Sequence, residues 1–232
     1  MSQIAGSRWQ GLYRLGGTAA LIIAILLLGE IVVYAVFSRA STALEHFAIF
    51  QENSLVGLLT LDLLGMISYI LFVPVILALY MVLRRTSEAI MAVSTVLFFI
   101  GIADFFATNT AFPFLSLSNQ YAAAQTEAEK AMILAAGQAM LTLFNENAFL
   151  VSYVIVSAAW AMISWVMLRS DIFSQTAAYS GIMAGATGIA AVILEHTLPP
   201  DFLFLAISLY FAAIVFLFIW VVLIGRRLYR LP

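Results

Sequence analysis

Apolar residues in this chain come in long, nearly unbroken runs, with neither the alternation of a strand nor the one-sided stripe of a soluble helix. Crossing about 30 Å of hydrocarbon takes a helix of about 20 residues. Six runs reach that length: 17–37, 55–83, 89–107, 149–168, 177–194 and 202–224. The pattern predicts an all-α, six-transmembrane-helix bundle, a single polytopic domain over residues 1–232. The first run is too long for a signal-peptide core, holds Glu30 and is followed by no small-residue cleavage site.

Two polar breaks are long. Residues 38–54 mix Glu45, His46 and Glu52 with Leu44, Phe47 and Phe50, and His46 is expected in a solvated loop. In 114–147, Met132, Ile133, Ala136, Met140, Leu143 and Phe144 recur at helical spacing within Tyr121 to Phe144. That predicts an amphipathic helix on the outer interface, or an outward extension of the fourth span.

Composition sharpens the membrane reading. Of 232 residues 64% are hydrophobic and 9% charged, against about 25% charged in soluble domains. Without Cys there are no disulfides, thiolate metal sites or thiol nucleophiles. A net charge of −2 gives no reason to expect nucleic acid.

The charges are sorted by side. With the N-terminus inside, Arg8, Arg14, Arg84, Arg85, Arg169, Arg226, Arg227 and Arg230 fall on the inner face, and Arg39 and Lys130 outside. Cytoplasmic loops collect Lys and Arg, so both termini are expected in the cytoplasm of a bacterium, with the chain in its inner membrane. Ten acids fall outside or in outward halves of spans, formally −8 on that side.

An acid inside a span costs about 2.5–3.5 kcal/mol on insertion scales. Glu30, with Tyr34 one turn on, Asp62, Asp104 with Asn109 after it, Glu146, and Glu195 beside His196 all lie in outer halves of spans, and would converge in one acidic pocket. Each has a plainer reading, as a protonated hydrogen-bonding group between helices or, for Asn145-Glu146-Asn147, a helix cap. A mixed site of Glu30, Asp62, Asp104 and His196 would suit a hard divalent metal such as Mg, Mn or Ca. Gly181, Gly185 and Gly188 share one helix face and would meet another helix, within the chain, in a second copy or in a membrane partner. Leu150, Tyr153, Ser157, Trp160 and Ser164 continue the Glu146 stripe, and Pro74 is expected to kink the second span.

No Walker loop, H-E-x-x-H, H-x-x-E-H or G-x-S-x-G pattern occurs, and Lys130, the single Lys, lies outside the spans. Phe50-Gln51-Glu52-Asn53 and Phe144-Asn145-Glu146-Asn147 nearly repeat, each before a span ending in Leu-Arg. A duplicated helical hairpin would produce such a pair.

Trp165-Val166-Met167-Leu168-Arg169-Ser170 followed by Gly181-Ile182-Met183-Ala184-Gly185, together with Leu61-Asp62-Leu63-Leu64 and the Leu83-Arg84-Arg85 ending, resembles a bacterial multi-pass family known only as a domain of unknown function, number forty-three eighty-six. Members often carry a Pro before the fifth span, where this chain has Gln175-Thr176. The resemblance covers Gly11 to Arg227 and implies a six-helix inner-membrane protein with no assigned activity.

Three functions fit these residues. The first is binding or transport of a cation, proton or small cationic molecule through the outward acidic pocket. The second is an intramembrane enzyme on a lipid or apolar substrate with a carboxylate-rich metal site. The third is a non-catalytic subunit of a larger membrane complex.

Overall fold

The computed structural model describes residues 2–37 and 40–231, with side chains undescribed at 2–8, 147–149 and 200; Arg39 lies outside the described residues. Among the described residues every regular element is helical. The helices are α1 (Ser2–Phe37), α2 (Ala43–Glu52), α3 (Ser54–Thr60), α4 (Leu63–Leu83), α5 (Glu88–Thr108), α6 (Ala111–Ala123), α7 (Glu127–Leu143), α8 (Ser152–Met167), α9 (Gln175–Thr197) and α10 (Leu203–Tyr229). A π-helical segment, Phe144–Val151, joins α7 to α8, and a 3-10 turn, Pro200–Phe202, precedes α10.

Five stretches are long and apolar enough to cross a membrane: Trp9–Phe37, Leu63–Leu83, Glu88–Ala123, Gln175–Thr197 and Leu203–Tyr229. α8 is apolar but shorter, and continues from the π segment. Their outward faces carry large apolar side chains such as Ile25 (69% exposed), Phe204 and Ile207, a surface suited to lipid and not to water.

Six helices pack in a closed ring, α1 against α4, then α5, α8, α9, α10 and back to α1. Ring neighbours approach at glycines. At Gly17 of α1 and Gly225 of α10, a Cβ on either would meet the other's backbone oxygen, at 2.9 and 3.1 Å. A Cβ on Gly16 would lie 2.9 Å from the Pro74 carbonyl oxygen, so Pro74 sits at the α1–α4 contact. Gly185 faces the Ser157 backbone oxygen and Ala161 of α8, and Gly188 faces Tyr153 and Ser157. The glycine face expected to meet another helix meets α8 within the chain, because α8 supplies the helix that those small residues admit. Phe72, Phe98, Trp160 and Trp220 fill the centre, with Phe72 and Phe98 ring centroids 5.5 Å apart.

α2, α3, α6 and α7 close one end of the ring around Phe47, Phe50, Phe105, Phe114 and Leu141. Gln51 Nε2 donates to the Ser118 carbonyl at 3.0 Å, tying α2 to α6. The expected helix from Tyr121 to Phe144 is interrupted at 124–126, where Thr126 and Glu129 form a capping box that starts α7 anew. Beyond it α7 runs without a break through the π segment into α8. The two near-repeats have unlike structures, for Asn53 caps α3 while Asn145-Glu146-Asn147 lies inside the π segment.

Among the described residues, Arg84, Arg85 and Arg227 lie at the opposite end. Arg84 and Arg85, in the turn after α4, act electrostatically on Tyr13 of α1. Arg227 Nε donates to the Ile172 carbonyl in the α8–α9 loop at 2.6 Å.

Filling the α8–α9 contact is expected to destabilise the bundle. Gly185→Val should cost about 1–3 kcal/mol, read as a lower Tm in detergent, whereas Gly11→Ala, with open space around it, should leave Tm unchanged.

Candidate functional site

The second apolar run does not form one helix. Leu61 and Asp62 break it between α3 and α4, and Asp62 adopts φ 66° and ψ 39°. Among the described residues it is the sole non-glycine in that left-handed region. Asp and Asn tolerate this geometry better than most residues because a short polar side chain can bond locally. Asp62 Oδ1 accepts from the Gly65 backbone N–H at 3.2 Å, capping α4. A side chain on Gly65 would run into the Asp62 carboxyl, so Gly65 makes room for the cap.

Asn109 supports this turn. Its Nδ2 donates to the Leu61 carbonyl at 3.4 Å, and its Oδ1 accepts from the Ala111 N–H at 3.0 Å as α6 begins. Its role is to position the residue before Asp62.

Glu30 faces α4 from α1. Ser68, buried, donates to Glu30 Oε1 at 3.3 Å. Tyr34, one turn beyond Glu30, is within electrostatic range of Asp62, Glu30 and Tyr69. Thus Glu30, Tyr34 and Asp62 come together between α1 and α4, with Ser68 and Tyr69 completing the group. Among the described residues neither acid has a Lys, Arg or His in ion-pair contact.

The remaining acids are elsewhere. Glu146 and His196 meet across the π segment and α9, with His196 Nε2 3.8 Å from Glu146 Oε2. The Val192 carbonyl lies 2.9 Å from His196 Nδ1, so that nitrogen donates and Nε2 faces Glu146. Glu195 Oε2 accepts from the Tyr210 hydroxyl at 2.6 Å. Asp104 joins neither group, and its buried Oδ2 has no hydrogen-bond partner among the described residues. Among those residues no three His, Asp or Glu side chains gather to hold a metal. Among the described residues the proposed set of Glu30, Asp62, Asp104 and His196 is not brought together: Glu30 and Asp62 lie at the α1–α4 contact, Asp104 joins neither group, and His196 turns to Glu146. The single acidic pocket resolves into an α1–α4 pair and an exposed rim on α9.

Helix ends account for part of the outer charge. Glu45 accepts from the N–H groups of Ser41 and Thr42, and Glu129 from those of Gln125 and Thr126, which holds both carboxyls below the usual range. Glu127 pairs with Lys130 at 3.1 Å. Glu146 is no cap, since the helix continues on both sides of it.

A cavity of about 250 Å³ opens beside the α1–α4 pair, lined by Tyr34, Phe37, Ala40, Ser41, His46, Thr60, Leu61, Leu141, Phe144 and Asn145. His46 is not a solvated loop residue: it lies on α2, 5% exposed, with Phe114 edge-on at 5.7 Å. Ser68 and Tyr69 escaped the sequence reading, and His46 was read as solvated. The first two are polar interruptions of an apolar run, a visible signal, but the burial of His46 depends on α6, remote in sequence. On α8, Ser157 and Ser164 face inward against the glycines of α9, and Trp160 is buried against Phe72 and Phe98.

Residues 11–225 match the family described as Domain of unknown function (DUF4386), and the chain belongs to that family. No curated protein and no solved structure matches it.

Burial lowers the His46 pKa from 6.5, opposed by the nearby Glu45 charge. The folded chain therefore binds fewer protons than the unfolded one as pH falls below about 6.5, and stability is lost over that interval until the folded pKa is passed. A pH series of melting temperatures should show less acid-side loss in His46→Gln than in the parent.

Proposed function

We propose that this DUF4386 member is an integral membrane protein that binds or moves a proton or small cation at Glu30 and Asp62. One observation carries the reading: two carboxyls from facing helices share a half-buried site with Tyr34, without a fixed cation in contact among the described residues. Two acids held together away from water are relieved by taking up a proton or a cation. Asp62 adds a mechanical element, because the residue that carries the charge also caps α4. Changing its charge alters the bond that fixes the start of that helix.

In this reading the chain spans a bacterial inner membrane six times, the sixth span being α8 with its π-helical extension. Both termini are cytoplasmic. The support is the closed ring of six helices and the gathering of arginines at one end, which the preference of cytoplasmic loops for Arg and Lys assigns to the cytoplasm. The acid pair then opens outward.

Asp62→Asn is the informative substitution, since Asn retains both the left-handed geometry and an oxygen for the Gly65 N–H. In proteoliposomes Asp62→Asn and Glu30→Gln are each expected to lower proton or cation flux at least tenfold, with Tm unchanged for Asp62→Asn. Wild-type flux in both variants would overturn the assignment. The absence of Cys makes topology testable as well. An impermeant maleimide should label Gln125→Cys in intact cells and reach Asp171→Cys only after lysis.

A further inference from the structure

The turn between α4 and α5 joins two apolar stretches and holds two consecutive arginines. α4 ends at Leu83 and α5 begins at Glu88; the Thr86 N–H donates to the Leu83 carbonyl at 2.8 Å, which keeps the reversal tight. Arg84, Arg85 and Glu88 line an open cavity of about 420 Å³ at this turn. Both arginines are exposed, and among the described residues neither has an acid in ion-pair contact. Glu88 belongs to the first turn of α5, where the helix dipole favours a carboxylate. Two guanidiniums and one carboxylate leave these lining residues formally +1.

The position of the cavity narrows what fills it. The stretch that ends at Leu83 and the one that starts at Glu88 are each long and apolar enough to cross a membrane, so the turn lies where the chain leaves hydrocarbon for the headgroup layer. Ile70, Leu77 and Arg84 follow one another about two helical turns apart, and all three are exposed, so Arg84 ends a lipid-facing strip of α4. On α5, Ala89, Val93, Val96 and Ile100 form a second exposed apolar strip that starts beside Glu88. A free phosphate would use the arginines alone. A phospholipid uses the arginines and both strips.

We propose that this turn binds the phosphodiester of an anionic phospholipid, with Arg84 and Arg85 donating to its phosphate oxygens and the acyl chains lying along the exposed strips of α4 and α5. The inference is independent of the cation reading at Glu30 and Asp62. A guanidinium presents paired N–H donors that match two phosphate oxygens. A lining of formal charge +1 is neutralised by a headgroup of net charge −1, such as phosphatidylglycerol, whereas a zwitterionic headgroup leaves the charge standing. Basic pockets at the headgroup level of membrane bundles take anionic lipids on the same ground.

The test uses the full chain in detergent, with dioleoylphosphatidylglycerol as the probe and native mass spectrometry to count bound lipid across a titration. Dioleoylphosphatidylcholine, glycerophosphoglycerol and inorganic phosphate serve as comparisons. Phosphatidylglycerol is expected to bind on the order of tenfold more tightly than phosphatidylcholine, and to outcompete glycerophosphoglycerol, which has the same headgroup without chains. Arg84→Gln/Arg85→Gln should abolish the preference for charge with Tm unchanged in detergent. Arg226→Gln, at an exposed arginine of α10, should retain it. Glu88→Gln should tighten phosphatidylglycerol about threefold, a gain that damage to the fold does not produce. A preference for phosphatidylglycerol that survives Arg84→Gln/Arg85→Gln would overturn the site. Phosphatidylcholine bound as tightly as phosphatidylglycerol would overturn the selection for net charge. Glycerophosphoglycerol or inorganic phosphate bound as tightly as the lipid would overturn the lipid and make the occupant a free phosphate.

Discussion

Closure of the helix ring depends on backbone meeting backbone at Gly17 and Gly225. α1 and α10 are the two ends of the ring in sequence, and no short loop forces them together. In lipid there is no hydrophobic drive between helices, so association relies on close van der Waals packing, which small residues permit. A Cβ at either glycine would meet the facing helix's backbone oxygen. With α1 seated against both α10 and α4, Glu30 is fixed opposite Ser68.

The break at Asp62 is the second constraint, and it joins fold to site. A continuous helix over 55–83 would leave the acid projecting from a regular turn. The left-handed residue instead ends α3, starts α4 and directs the carboxyl to the Gly65 N–H, with Asn109 holding the adjacent Leu61 carbonyl. Two polar residues, Asp62 and Asn109, thus spend part of their hydrogen-bonding capacity on building the turn. The capping helices then close around it, and the cavity forms where the ends of α1 and α2 meet the α7–π junction.

Much of the fold was legible in the sequence because membrane helices advertise themselves by length and apolarity. The third run, 89–107, differs from α5 by one residue at either end, and the last three runs each contain or overlap a helix of the ring. The split of the second run was less legible. Hydropathy registers Asp62 as one polar residue in an apolar run, while the break depends on its backbone conformation. The site was half legible for a related reason. Glu30, Tyr34 and Asp62 were found as charged or polar groups where lipid is expected, and they do meet; Asp104, Glu146, Glu195 and His196 were found the same way and do not join them.

By itself the sequence determined the helical class, the membrane environment and the separation of arginines from acids, since each follows from one-dimensional quantities: run length, apolar fraction and charge order. Only the tertiary structure decided which acids are neighbours, that the α9 glycines face α8, and that His46 is buried. Those facts depend on the rotation of each helix about its axis and on contacts between residues far apart in the chain, such as His46 with Phe114. Apolar runs with little amphipathic asymmetry leave that rotation unspecified until packing sets it.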